Sequence, residues 1–257
     1  MNKTLLLPLF LGLLSLWLLP LKSFAQSDSD PQNLTVSVSA SAGNVCPGTS
    51  VALHVSVTDN SQQPIMEPSI AVGDVLCTDG SVVKISAWPV AGKTARGIVF
   101  YVDNTGQHGW AVHLQDQSQG IAWCPNYNPY FDVPALANIT TLEGGINDVD
   151  GYSNTQKLRN AGSATMFPAA WAVDFAQQWY VPAIGQLHVL LAEYPKVNES
   201  LQTVGGSPLF PFSSILTSYW SSTEYSDYAA WAQVKLGFIH QEGKMGAVNC
   251  LRSVRTF

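Results

Sequence analysis

Gly97-Ile98-Val99-Phe100-Tyr101-Val102-Asp103-Asn104-Thr105-Gly106-Gln107-His108-Gly109-Trp110-Ala111-Val112-His113-Leu114 reads as two β-strands and the turn between them. β-Branched and aromatic residues fill both flanks, and Asn104-Thr105-Gly106 supplies the turn chemistry. Upstream, Gly73-Asp74-Val75 opens the domain and Val82–Ile85 forms a short strand. Downstream, residues 116–152 lack periodicity and carry Pro125, Pro129, Pro134 and the Gly144-Gly145 pair. A long irregular stretch of that kind inside a domain is functional or packs as an Ω-type loop. Ser153–Ala161 is compatible with a helix, and Ala169–Trp179 and Ile184–Tyr194 are the two short helices expected. In the last, Leu187, Leu190 and Leu191 fall on one face. Ser218–Ser222, Ala229–Phe238 and Val248–Val254 then read as strands, with a turn at Gln241-Glu242-Gly243-Lys244. The order predicts an α+β fold built on an antiparallel sheet.

The ends of this frame set compartment and class. Lys3, an apolar run from Leu5 to Leu21 and the exit Ser23-Phe24-Ala25 read as a signal peptide over residues 1–25, cleaved before Gln26. Its loss removes Lys3 and Lys22 and no acid, taking the formal charge from -6 to -8. That balance argues against nucleic acid or an anionic membrane as partner, and no later segment is apolar enough to span a bilayer. The expected location is secreted, periplasmic or cell-surface. Residues 26–72 read as a β-rich extension and linker, with alternating apolar positions at Leu34, Val36, Val38 and again at Leu53, Val55, Val57. Residues 73–257 form the main domain. Four cysteines in an exported chain imply two disulfides, with three pairings open. Cys46–Cys77 with Cys124–Cys250 is favoured because the second bridge ties the middle of the domain to its last strand. A loop of that length contributes about 4–5 kcal/mol in the chain-entropy picture.

Three motifs in order resemble a known family. They are Trp179-Tyr180-Val181-Pro182 with Gln186-Leu187 behind it, Tyr219-Trp220-Ser221-Ser222-Thr223-Glu224 followed by Ala230-Trp231, and the closing Val248 to Arg255. Together they resemble a bacterial domain family of unknown function that includes the C-terminal domain of a Legionella collagen-like protein. The resemblance covers residues 73–257 and implies a C-type-lectin-like fold, related to formylglycine-generating enzymes, with no common activity attached. The chain departs from the pattern at Gln186, where many members have Glu, and at Cys250-Leu251-Arg252.

The candidate functional residues are aromatic and lie in loops. Trp123, Tyr127 and Tyr130 form one cluster, and Tyr225, Asp227 and Tyr228 another; rigid aromatic contact area of this kind suits recognition. Trp179, Pro182, Trp220, Glu224, Trp231, Arg252 and Arg255 read as structural, with Glu224 expected to pair with Arg252 or Arg255. Asn147, Asp148 and Asp150 offer oxygen ligands but lack a full calcium-loop pattern, and the five histidines have no metal spacing. No catalytic motif occurs, and no cofactor or metal is expected. The sequence therefore predicts a non-catalytic binding module for a glycan or protein at the cell exterior, in an adhesive role. Its rivals are a structural subunit of a surface assembly using the N-terminal strands, and a formylglycine-generating-type enzyme.

Overall fold

A computed structural model describes residues 69–125, 132–210, 217–235, 237–247 and 249–257, together with the backbone of three strands nearer the N-terminus. The chain divides into two compact units, residues 1–68 and 69–257. In the first, β1 (Thr4–Leu5), β2 (Leu34–Ala40) and β3 (Leu53–Asp59) form an antiparallel sheet in the order β1-β3-β2. Register runs unbroken from Leu34 opposite Asp59 to Ala40 opposite Leu53, with Thr4–Leu5, inside the expected signal segment, beside His54 and Leu53.

Among the described residues the second unit holds two five-stranded sheets. The first contains β4 (Val75–Cys77), β5 (Val82–Val83), β6 (Ala95–Val102), β7 (Gly109–His113) and, near the chain end, β13 (Val254–Thr256), in the order β13-β7-β6-β4-β5. The expected hairpin is β6 and β7, with a register irregularity between Val99 and Tyr101. The second sheet contains β8 (Ser118–Ile121), β9 (Ser218–Glu224), β10 (Ala229–Val234), β11 (Ile239–Gly243) and β12 (Asn249–Leu251), in the order β11-β10-β9-β12-β8. One pair departs from the antiparallel plan: β12 runs parallel to β9, Cys250 opposite Tyr219.

Among the described residues five helices lie between β8 and β9, more than the two expected: α1 (Leu142–Asn147), α2 (Gly151–Ala161), α3 (Pro168–Trp171), α4 (Ile184–Ala192) and α5 (Tyr194–Thr203). The helix expected over Ala169–Trp179 stops after one turn. Asp174 takes the Gln177 N–H on its own carboxylate (3.3 Å), a 3₁₀ turn follows, and Gln178 adopts a left-handed φ of 64°. At the other end, Pro195 in the first turn of α5 starts a new helix where the expected one ends. α4 begins under Gln186, whose carbonyl accepts from Ala183 N (3.1 Å) and Gly151 N (3.2 Å) while its amide donates to the Tyr180 hydroxyl (3.1 Å). A glutamate here lacks that donor. The approach of α2 to α4 needs glycine: a Cβ on Gly151 falls 2.5 Å from Gln186 Oε1 and 2.6 Å from Ala183 N.

Strand β9 explains the two-sided core. Successive residues of a strand point to opposite faces. Tyr219, Trp231 and Cys250 join one apolar cluster with Val75, Ile98, Leu187 and Leu190. Trp220, Ala230, Ala232 and Leu251 join another with Trp123, Leu158 and Phe167. Every residue of β9 is buried, so the second sheet is covered on both faces along that strand. Trp220 donates from its indole to Ile121 O (2.7 Å), and Trp231 to Ile139 O (2.7 Å). Trp179 is buried too, between Arg96 and Arg255, whose guanidinium carbons stand 5.7 and 5.8 Å from its ring centroid.

The same alternation overturns one expected disulfide. Cys250 is an unbridged thiol in the first cluster, 3.7 Å from Gln119 O, while Cys124 packs with the second cluster on the far side of β12. Cys77 is also an unbridged, buried thiol; its expected partner Cys46 lies outside the described residues.

Candidate functional site

Glu224 does not pair with either arginine. Arg252 is fully buried and donates to Asp116 through Nε, to His113 O (2.9 Å), and to Ser207 O (3.1 Å) and Pro208 O (3.3 Å). Tyr219 also donates to Asp116 (3.0 Å). This network pins the closing strand against the 113–117 turn and leaves its arginine with no further reach. Arg255 is half-exposed and donates to Gln177 O (3.3 Å) and Gln178 Oε1 (3.0 Å). Glu224 takes Lys244 instead, a cation the sequence reading had placed in a turn. Lys244 Nζ also donates to Asp227 O (3.0 Å) and stands 4.8 Å from the centroid of the Trp123 ring.

The Glu224 carboxylate is divided in its use. Oε1 accepts from Lys244 and from Val133 N (3.2 Å). Oε2 is buried and has no donor. The residue is 1% exposed, and burial pushes its carboxyl up to about 7 despite the neighbouring ammonium. Asp132 adds to the rise by like charge.

Glu224 lines a recess of about 200 Å³. One wall is Leu136, Ala137 and Ile139, fixed to β9 by the bond from Ile139 N to Glu224 O (3.0 Å). The other is the start of α2: Asp148, Asp150, Asn154 and Lys157. Asp148 accepts from Asn154 Nδ2 (2.8 Å), Thr223 Oγ1 (2.7 Å) and Asp150 N (3.2 Å). Asp150 caps α2 by accepting from Ser153 N (3.1 Å). Among the described residues no three acids, histidines or cysteines converge closely enough to hold a metal ion.

The expected ligand residues are dispersed relative to this recess. Trp123 is 1% exposed, donates to Ser221 O (2.9 Å) and packs edge-on against Phe167, so it is core rather than contact surface. Tyr127 and Tyr130 lie outside the described residues. Tyr225 is half-buried with its ring edge-on to Trp231 at 5.2 Å, Asp227 is half-buried, and Tyr228 is 52% exposed; none of the three lines the recess. Asp148 and Asp150, weighed for calcium, do line it, whereas Asn147 does not. Asn154, Lys157 and the free oxygen of Glu224 were missed. Only the i, i+3 spacing of Asn154 and Lys157 on α2 pointed to a shared face.

Burial raises Cys77 and pushes Cys250 up to about 11, the opposite of an activated cysteine. No described helix is long and apolar enough to cross a membrane.

No family model matches the chain, and no curated protein matches it, so the resemblance drawn from the motifs has no family match beneath it. Solved structures give a likeness. A fimbrial protein from Bacteroides ovatus aligns with a TM-score of 0.54 and 16% identity, over 87% of this chain and 63% of that one. This is a fold that a bacterial fimbrial protein shares. At that identity the likeness is one of fold, and the chain spans less than two thirds of the fimbrial protein's length.

Proposed function

We propose that this protein is an exported, non-catalytic binding module of the bacterial surface, C-type-lectin-like in its main domain, that holds a protein partner at the recess beside α1 and α2. One observation carries the reading: an open recess beside α1 and α2 has an apolar wall of Leu136, Ala137 and Ile139 and a charged wall of Asp148, Asp150 and Lys157. Two further observations support a protein rather than a sugar. Leu142, Ile146, Val149 and Tyr152 are exposed apolar side chains spaced three or four residues apart along α1 and into α2, beside the acidic wall. The shared fold with a fimbrial protein accords with a role in protein contacts outside the cell.

The test is binding of the full chain to a panel of purified extracellular and bacterial-surface proteins, alongside a glycan array. Saturable protein binding is expected, and Val149→Glu with Tyr152→Glu should abolish it while the melting temperature stays within a few degrees. Binding to sugars alone defeats the reading. Protein binding that survives both substitutions moves the interface to residues 34–59 and favours a structural subunit.

A further inference from the structure

We propose that a second hollow, where the exposed apolar row of α1 and α2 ends, grips a proline-rich segment of the partner. The inference rests on that row being part of the binding face. The row Leu142, Ile146, Val149 and Tyr152 ends at Tyr152, which is 41% exposed and also lines a hollow of about 300 Å³. The other walls are Gln178, Tyr180 and Thr256. The Tyr152 ring stacks on Phe175 (4.7 Å between centroids, 18° between planes) and meets Tyr180 edge-on at 5.8 Å. Behind Phe175 the column continues through the Arg159 guanidinium, 5.3 Å from the Phe175 centroid and 3.8 Å from that of Trp171. Phe175, Arg159 and Trp171 do not line the hollow, so Tyr152 is the end of the column that reaches it. A ring braced in this way loses little freedom when a ligand packs on it.

The polar atoms of the lining decide what fits. Gln178 accepts from Arg255 Nη2 on its Oε1 (3.0 Å), which leaves its N–H groups as the open end. Tyr180 accepts from Gln186 Nε2 (3.1 Å), and its hydroxyl lies 3.0 Å from Thr256 Oγ1. Two hydroxyls hold two protons and only one lies between them, so the pair has one O–H left to give. Burial raises Tyr180, so its proton stays on. No lining residue is charged. The adjacent Arg255 is spent, its three nitrogens bonded to Thr256 O, Gln177 O and Gln178 Oε1. The hollow therefore suits a neutral ligand with open acceptors and a compact apolar ring. A proline-rich segment meets each condition: its carbonyls accept, its prolines have no N–H, and their rings pack on tyrosine. Its extended helix forms before binding, so little is lost in ordering it. A sugar brings a proton on every hydroxyl and finds few acceptors left here.

Titration of the isotopically labelled full chain, followed by amide NMR, tests this. The probes are an end-blocked proline hexapeptide, an end-blocked glycine-serine hexapeptide and maltose. The proline peptide should bind saturably, with shifts centred on Tyr152, Gln178 and Thr256, and the other two should bind at least tenfold more weakly. Gln178→Glu keeps the acceptor for Arg255 but exchanges the open donor for a second acceptor, and should weaken binding at least fivefold. Tyr152→Leu removes the end plane of the column and should do the same. If either variant does not fold, Gln178→Gly decides: glycine suits the left-handed φ of 64° at this position, so binding should be lost while the melting temperature holds or rises. Equal binding of the glycine-serine peptide or of maltose, shifts centred elsewhere, or unchanged affinity in the Gln178 variants overturns the inference. The titration needs no protein partner. Proline-peptide binding without any protein ligand therefore defeats the proposed function and leaves the hollow, while a protein ligand without proline-peptide binding does the reverse.

Discussion

Glu224 makes the stability of this fold pH-dependent in a defined direction. In the folded chain burial lifts its carboxyl from an ordinary 4.5 to about 7. Between those values the native state holds a proton that the unfolded chain has released, so stability falls as pH rises through the window. Below about 4.5 the carboxyl is protonated in both states, and above about 7 it is ionised in both, so the change is confined between them. At about 1.4 kcal/mol per pH unit the loss across the window is about 3 kcal/mol. Urea unfolding followed by tryptophan fluorescence, at fixed ionic strength and half-unit steps from pH 4.5 to 8, measures it. With a urea dependence of about 2–3 kcal/mol per molar, the midpoint should drop by about 1 M between pH 4.5 and 7 relative to Glu224→Gln. The comparison with that variant matters because other groups titrate nearby. Burial also raises Asp116, which acts in the same direction, and lowers His113, whose neutral native form makes stability rise with pH. Both are common to the two proteins and cancel in the difference. Parallel profiles for wild type and Glu224→Gln, or a wild-type profile that rises relative to the variant, would refute the burial argument.

Three other outcomes follow from the packing. Arg252→Met leaves Asp116 buried without its charge and should cost about 3–5 kcal/mol, a fall in melting temperature on the order of 10 °C by scanning calorimetry. Trp220→Phe keeps most of the ring volume but strips Ile121 O of its indole donor, a loss of about 1–3 kcal/mol by denaturant titration, against about 3–5 kcal/mol for Trp220→Ala. Cys77 and Cys250 should resist a thiol reagent in the native chain and react on unfolding without prior reduction; a Cys250 that needs reductant first would restore the rejected bridge.

How much of this was legible in the sequence depended on which contacts were local. The β6–β7 hairpin was plain because its turn and both strands lie within nineteen residues and need no distant partner. Leu187, Leu190 and Leu191 marked α4 for the same reason. The helix expected over Ala169–Trp179 failed on a competition the pattern does not weigh: the Asp174 side chain bonds its own following backbone more readily than it continues the spiral. The parallel pairing of β12 with β9 was invisible, since it joins residues 31 apart through a connection that periodicity does not specify. With that pairing went the disulfide, because the face on which Cys250 sits is known only once its neighbour is.

The recess was hidden for a different reason. Its acids come from the α1–α2 junction and the end of β9, and Thr223 Oγ1, bonded to Asp148 Oδ2, is what brings those segments together. Of the hydroxyls after Trp220, Ser221 satisfies nearby backbone by donating to Trp231 O. Thr223 does both: it accepts from Ile184 N (2.9 Å) at the start of α4 and donates to Asp148. That double use fixes which way Glu224, the next residue, faces. Adjacent strand residues face opposite ways, so a Thr223 directed at α4 and Asp148 turns Glu224 toward the Trp123 side, where Lys244 meets it. Lys244 engages one carboxylate oxygen and also donates to Asp227 O (3.0 Å). Lengthening the Asp227–Tyr228 turn by one residue should withdraw Lys244 and raise the Glu224 carboxyl further, read by urea unfolding as a loss of stability that extends to higher pH than in the wild type.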